Sequence, residues 1–157
     1  MIGNVFHDKR TKLAVITLAL FNLLLLPVLV PDLHSLSWSW ATLWQPLFIF
    51  SNAATSYYMY SSAHWKWPGF FLMMLTAFSV EAYPSLHYVF ACGFFLSGVW
   101  PMWRNKRLWG YAVPYTLSLP IFLWDILVAE IISVGFLLAY HSHLLFLVWK
   151  IDKKRRK

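Results

Sequence analysis

Four ionisable residues lie within one long apolar stretch near the end of the chain: Asp125, Glu130, His141 and His143. The stretch 124–150 has about 27 residues, enough to cross a bilayer as a single helix. On such a helix Glu130 lies about 7 Å deeper than Asp125, and His141 lies about 16 Å beyond Glu130. A carboxyl group inside hydrocarbon costs about 2.5 kcal/mol or more. We therefore expect Glu130 to face protein or water rather than lipid.

The spacing of these residues also predicts a shared helix face. Glu130 and His141 are close to three full turns apart, and Ser133 and Leu137 fill the stripe between them. A carboxyl, a hydroxyl and an imidazole in one row can pass a proton, so Ser133 and His141 form a possible relay from Glu130. His143 points to a different side of the helix, so the two histidines cannot hold one metal from a regular helix. A structural or interfacial role for both imidazoles is the simpler interpretation.

A second polar group is predicted near the outer membrane surface, where Glu81, His87, Asp125 and Glu130 fall close to span ends. We expect His87 to pair with Glu130 or Glu81, either as a packing pair or in an outward-facing pocket for a headgroup, a proton or a metal. A zinc site would use His34, His87, Asp125 and Glu130, and zinc-bound water would be a hydrolytic nucleophile. The preferred interpretation assigns no catalytic residue, metal or cofactor.

The composition identifies the class of protein. The chain has 157 residues, of which 60% are hydrophobic, 20% aromatic and only 12% charged, whereas a soluble domain carries about 25% charged residues. Several apolar runs near twenty residues predict an all-α, polytopic integral membrane bundle folded as one transmembrane domain over 1–157. The single cysteine, Cys92, can form no internal disulfide, and we expect it to be a small buried packing residue.

Six transmembrane helices are predicted, separated by polar or proline-containing segments. The first connection, 32–43, is polar and rich in tryptophan, which is typical of an interfacial or re-entrant loop. Gly93 and Gly98 make part of the fourth span narrow and favour tight packing there. The spans cover about 13–30, 43–61, 67–80, 86–102, 108–123 and 125–150, followed by a basic tail at 151–157.

The distribution of cations predicts the orientation of these spans. All 13 Lys and Arg residues fall in the N-terminal arm, the loop at Lys66, the loop 104–107 and the segment from Lys150 onward. The connections on the opposite side carry Asp32, Glu81 and Asp125 instead. This separation predicts cytoplasmic N- and C-termini. The net charge of +7 therefore reflects topology and contact with anionic lipids, not binding to nucleic acid.

Sequence motifs of common enzyme classes are absent. The chain contains no glycine-rich phosphate loop, no HExxH, no nucleophile elbow and no cysteine pair for a structural zinc. We expect a non-enzymatic multi-pass membrane protein, either a lipid-interacting factor or a small subunit of a larger integral complex or homo-oligomer. Two alternatives stay open: an intramembrane metal-dependent lipid hydrolase, and a proton or ion pathway through Glu130 and His141.

The segment 87–95, HYVFACGFF, together with Glu130 early in the sixth span, suggests a family. His87, Ala91 and the pair Phe94 and Phe95 in this arrangement resemble the six-span family that includes the damage-regulated autophagy modulators and GPI-anchor remodelling proteins. The resemblance implies a lipid-associated, non-hydrolytic membrane protein, and it carries over no catalytic residue. The chain departs from that family in its compact outer loops.

Overall fold

Six α-helices make up most of the chain in the computed structural model, which describes residues 8–155. Short 3-10 segments cover Leu36–Ala41, Lys106–Leu108 and Leu119–Leu123. No strand occurs between residues 8 and 155, so the all-α prediction is confirmed. The helices are α1 (Lys9–Leu29), α2 (Gln45–Tyr60), α3 (Lys66–Ala77), α4 (Pro84–Arg104), α5 (Trp109–Ser118) and α6 (Ile126–Arg155).

Two of these helices, α1 and α6, are long enough and apolar enough to cross a membrane by themselves. The helices α2, α3 and α5 are shorter than their predicted spans, with 16, 12 and 10 residues. The α-helical part of α5 ends at Ser118, two residues before Pro120, which lacks an amide hydrogen and cannot continue the helical hydrogen bonding. The chain therefore continues as a 3-10 segment over Leu119–Leu123.

The last helix extends further than the sequence suggested. Residues 151–155, predicted as part of a basic tail, continue α6 without interruption. Near its end, Asp152 Oδ2 lies 3.5 Å from Arg10 Nε in the first turn of α1. The start of α1 and the end of α6 therefore lie at the same end of the molecule. The remainder of the predicted tail, residues 156–157, lies outside the described range, as do residues 1–7.

The six helices pack into one bundle. α1 packs against α2 and α6, α3 packs against α2 and α4, and α5 contacts α4 and α6. In the core, the Tyr115 hydroxyl donates a hydrogen bond of 2.7 Å to the Phe95 carbonyl, which satisfies the polar atom of a fully buried ring. Each of the six helices contributes a fully enclosed side chain: Leu26, Met59, Pro68, Met102, Tyr115 and Leu137.

Glycines mark the closest approaches between neighbouring helices. A Cβ atom added at Gly93 would lie 2.5 Å from the Phe71 ring of α3, and one at Gly98 would lie 2.8 Å from a tyrosine hydroxyl of α5. The expected tight packing of α4 at these two positions is confirmed. Gly69 on α3 approaches backbone instead, because a Cβ atom there would lie 2.2 Å from the Tyr60 amide nitrogen of α2.

Every helix contributes large apolar side chains to the outer surface of the bundle. Each of the six helices has at least one large apolar side chain that is more than half exposed: Leu18, Phe50, Trp67, Leu96, Leu117 and Phe146. Conversely, α2 buries the polar side chains of Ser51, Asn52, Thr55 and Ser56 against its neighbours. A bundle with an apolar exterior and polar groups inside is suited to an apolar surrounding.

Candidate functional site

The Glu130 carboxylate is buried inside the bundle and bound by the first loop. Its side chain lies on α6 and the residue is only 5% exposed. The Leu36 amide donates to Oε2 at 2.5 Å, and the Ser37 hydroxyl donates to Oε1 at 3.2 Å. The prediction that Glu130 faces protein is confirmed, and its partners are donors from residues 36 and 37.

This loop segment enters the bundle as a short 3-10 helix. The first amide groups of a helix have no partners within it. The Ser35 hydroxyl accepts a hydrogen bond from the Trp38 amide at 3.2 Å, and Glu130 accepts one from Leu36. Leu33 and Leu36 are buried in the hydrophobic core. The Glu130 carboxylate therefore holds the tryptophan-rich loop between α1 and α2 against α6.

A cleft of about 230 Å³ borders the same carboxylate. Ser37 and Glu130 provide polar atoms, and most of the remaining lining is apolar. Cys92 lies on this cleft and is exposed, so its expected burial is wrong. The outward face of α4 thus borders an open, largely apolar groove. Its two walls are formed by Tyr88, Cys92 and Leu96 of α4, and by Leu119, Phe122 and Ile126 of the opposite side.

A much smaller cavity of about 30 Å³ lies on the inner side of the carboxylate. Ser37, Asn52 and Glu130 supply its polar lining. The Asn52 side-chain nitrogen is buried and has no hydrogen-bond partner among the described residues. The nine other residues that line this cavity are apolar. Asn52 thus lies beside Glu130 at this cavity.

His87 is fully buried and has a different partner from the predicted one. Its Nδ1 lies 2.6 Å from the Phe78 carbonyl oxygen, so Nδ1 carries the hydrogen and donates it. Nε2 has no partner among residues 8–155. The predicted pairing of His87 with Glu130 or Glu81 is therefore corrected: the imidazole binds the backbone where α3 ends and fastens α4 to it.

The other members of the predicted outer cluster lie at the surface. Asp125 is exposed and caps α6, accepting a hydrogen bond of 3.0 Å from the Val128 amide. Glu81 is exposed in the turn before α4, and His34 is exposed beside Trp38, with ring centroids 5.7 Å apart. Within residues 8–155 no group of three or more His, Cys, Asp and Glu side chains is placed to hold a metal ion. The alternative ligand set of His34, His87, Asp125 and Glu130 is therefore not assembled there.

The predicted stripe on α6 is present, but its members have separate partners. Glu130, Ser133, Leu137 and His141 are all buried on one face, which confirms the predicted periodicity. The Ser133 hydroxyl lies 2.9 Å from the Ser118 hydroxyl of α5, and both ring nitrogens of His141 lack partners among the described residues. The apolar Leu137 side chain separates Ser133 from His141. The three polar groups therefore form no continuous hydrogen-bonded row in this structure.

His143 and His141 point to different sides of α6, as predicted. Its Nδ1 lies 3.1 Å from the Tyr111 hydroxyl of α5. His141 instead packs on Trp65, with ring centroids 4.6 Å apart. The two imidazoles serve different interfaces.

Sequence reasoning missed Ser37 as a donor to Glu130 and Cys92 as a lining residue of the cleft. The available signal for Ser37 was the polar loop 32–43, which supplies hydroxyl and amide donors on the same side of the predicted bundle as Glu130. Chemically, the site offers a carboxylate with two of its about four acceptor positions filled, at the edge of an apolar groove.

Comparisons of the chain with known protein families, with curated proteins and with solved structures find no match.

Proposed function

We propose that the protein is a non-enzymatic membrane protein with six crossings and cytoplasmic termini, and that it binds a lipid in the cleft beside Glu130. The observation that carries the lipid-binding proposal is the cleft itself, which combines apolar walls with one polar end. Apolar walls accommodate a hydrocarbon chain, and a small number of polar groups fix its orientation. A lipid-associated function also agrees with the resemblance to the six-span family.

Six crossings are supported by the apolar exterior of all six helices, including those too short to span a bilayer alone. Short helices are accommodated when a membrane thins locally or when flanking residues reach the interface.

The proposed orientation is supported by the position of the basic residues, which lie near one another at one end of the bundle. Lys9 and Lys12 of α1, His64 after α2 and Arg104 at the end of α4 border one pocket. The basic segments therefore share one end of the bundle, as cytoplasmic segments do.

The polar end of the cleft favours a lipid that carries a hydrogen-bond donor. Glu130 accepts from Leu36 and Ser37 and keeps free acceptor positions. A hydroxyl or amine group near the head of a lipid would donate a hydrogen bond to a free acceptor position of the Glu130 carboxylate. The hydrocarbon chain of the same lipid would lie against Phe122 and Leu96. Both Cys92 and Leu96 are exposed on α4, so a chain can enter sideways from the surrounding lipid.

Filling the cleft tests this proposal. Cys92→Trp introduces a large side chain into the groove without removing a hydrogen bond, whereas Val89→Trp adds the same group at an exposed position of α4 outside the cleft. Native mass spectrometry of the full chain, transferred from phosphatidylcholine and diacylglycerol mixtures, counts the bound lipids. We expect Cys92→Trp to lose about one bound lipid per chain, and Val89→Trp to match the unmodified protein.

The opposite pattern would remove the proposal. If Cys92→Trp retains the same number of lipids as Val89→Trp, the cleft is not a lipid site. Cys92→Phe serves as a second, smaller filling variant in case the tryptophan disturbs folding. Its thermal midpoint is measured alongside the lipid count, so that loss of lipid from a folded protein is distinguished from unfolding.

A further inference from the structure

A larger pocket, of about 470 Å³, lies towards the opposite end of the bundle from the cleft. His141 on its wall is about 16 Å along the helix from Glu130. The pocket is formed where the start of α1, the turn between α2 and α3, the end of α4 and the second half of α6 meet. Lys9, Lys12 and Arg104 lie on its wall, together with His64 and Asn105.

No aspartate or glutamate of the described chain lines this pocket. Two acidic residues that are close in sequence to the lining of the pocket, Asp8 and Asp152, have other partners. Asp8 accepts a hydrogen bond of 3.2 Å from the Thr11 amide, and Asp152 lies 3.5 Å from Arg10. Three cations thus surround a space with no carboxylate of its own. A concentration of like charge around a concave surface attracts an anion.

The wall of the pocket also contains a buried polar group without a partner. His141 is 1% exposed, and neither ring nitrogen has a hydrogen-bond partner among residues 8–155. Its ring packs at 4.6 Å from Trp65 and 5.3 Å from Tyr140, so its orientation is fixed by aromatic contacts. Buried imidazole nitrogens normally have partners. A ligand oxygen in the pocket would supply one.

Most of the remaining wall is apolar and includes Leu13, Ile16, Pro101 and Leu144. The pocket therefore combines cationic donors at its rim with hydrocarbon contact further in. Guanidinium and ammonium groups bind phosphate oxygens through strong charge-assisted hydrogen bonds. Basic pockets between membrane helices at the cytoplasmic side bind phosphorylated headgroups in this way.

We propose that the pocket lined by Lys9, Lys12, Arg104 and His141 binds the phosphate group of an anionic ligand. Arg104 and the two lysines neutralise the phosphate, and His141 donates one hydrogen bond to a phosphate oxygen from inside the bundle. The phosphate belongs either to a lipid headgroup or to a soluble phosphate ester. This pocket is separate from the cleft, so phosphate binding here does not depend on lipid binding in the cleft.

Two variants and one matched control test the site in the full chain. Arg104→Gln removes a cation from the wall, and Arg107→Gln removes the same charge three residues away at an exposed position outside the pocket. His141→Phe keeps a ring against Trp65 but removes both nitrogens. Because an apolar ring replaces an unpartnered imidazole, we expect this variant to fold with an unchanged or higher thermal midpoint.

Binding is measured by native mass spectrometry with phosphatidic acid against phosphatidylcholine of the same chains, and by thermal shift with glycerol 3-phosphate. We expect Arg104→Gln to weaken phosphatidic acid binding by about tenfold and His141→Phe by about fivefold. Arg107→Gln should change it by less than about twofold. The proposal is overturned if the first two variants bind like the unmodified protein, or if Arg107→Gln loses as much as Arg104→Gln.

The two probes also distinguish the source of the phosphate. Binding of both, with the same dependence on Arg104 and His141, supports a pocket that accepts soluble phosphate esters. Binding of phosphatidic acid alone supports a lipid headgroup whose chains contact Leu13 and Leu144. Binding of neither probe overturns the proposal.

Discussion

Glu130→Ala is expected to lower the stability of the folded bundle by about 3 kcal/mol, because it leaves two buried donors without an acceptor. Those donors are the Leu36 amide and the Ser37 hydroxyl, both held by this carboxylate. The loss corresponds to a fall in thermal midpoint on the order of 10 °C for a chain of this size. Hydrogen exchange at residues 36–41 should increase at the same time, since the loop loses its anchor on α6.

Glu130→Gln is the matched variant for this prediction. The amide oxygen of glutamine can still accept from Leu36, and its nitrogen can donate to the Ser37 hydroxyl. We expect its midpoint to lie close to that of the unmodified protein and its exchange at 36–41 to stay slow. Equal midpoints for Glu130→Ala and the unmodified protein would show that the loop is held by other contacts.

Gly69→Ala is expected to destabilise the bundle by about 2 kcal/mol, although alanine is the better helix former. The added methyl group would lie 2.2 Å from the Tyr60 nitrogen and 2.8 Å from the Ser56 carbonyl oxygen. Both atoms are backbone, so α2 and α3 would have to separate. Thermal unfolding in detergent measures the effect.

Gly135→Ala provides the control because it makes the same substitution inside a helix with nothing within 4 Å of the new atom. Without a clash, replacing a helical glycine by alanine stabilises by about 0.5–1 kcal/mol. The two variants should therefore shift the midpoint in opposite directions. A fall of the same size in both would contradict the close approach at Gly69.

Features that depend on local spacing were predictable from the sequence. The buried face of α6 follows from residues three and four apart, and the structure places Glu130, Ser133, Leu137 and His141 on it. The tight packing of α4 follows from Gly93 and Gly98, which lack side chains and lie close to Phe71 and Tyr115.

Features that depend on backbone partners were not predictable. Glu130 binds an amide 94 residues earlier in the chain, and every residue except proline offers such an amide. His87 binds a backbone carbonyl for the same reason, so side-chain chemistry suggested the wrong partners. Cys92 was expected inside because cysteine is commonly buried in soluble proteins. The preference of cysteine for burial does not apply to a helix face that is both exposed and apolar.

We propose that six crossings place every basic segment on one side of the membrane. Ser61→Cys and Ser85→Cys, each made with Cys92→Ala, test it without changing any charge, because both serines are exposed at opposite ends of the bundle. A membrane-impermeant maleimide is applied to intact cells and, separately, after permeabilisation. We expect position 85 to react in intact cells and position 61 to react only after permeabilisation. Reaction of both positions in intact cells, or of position 61 alone, would contradict it.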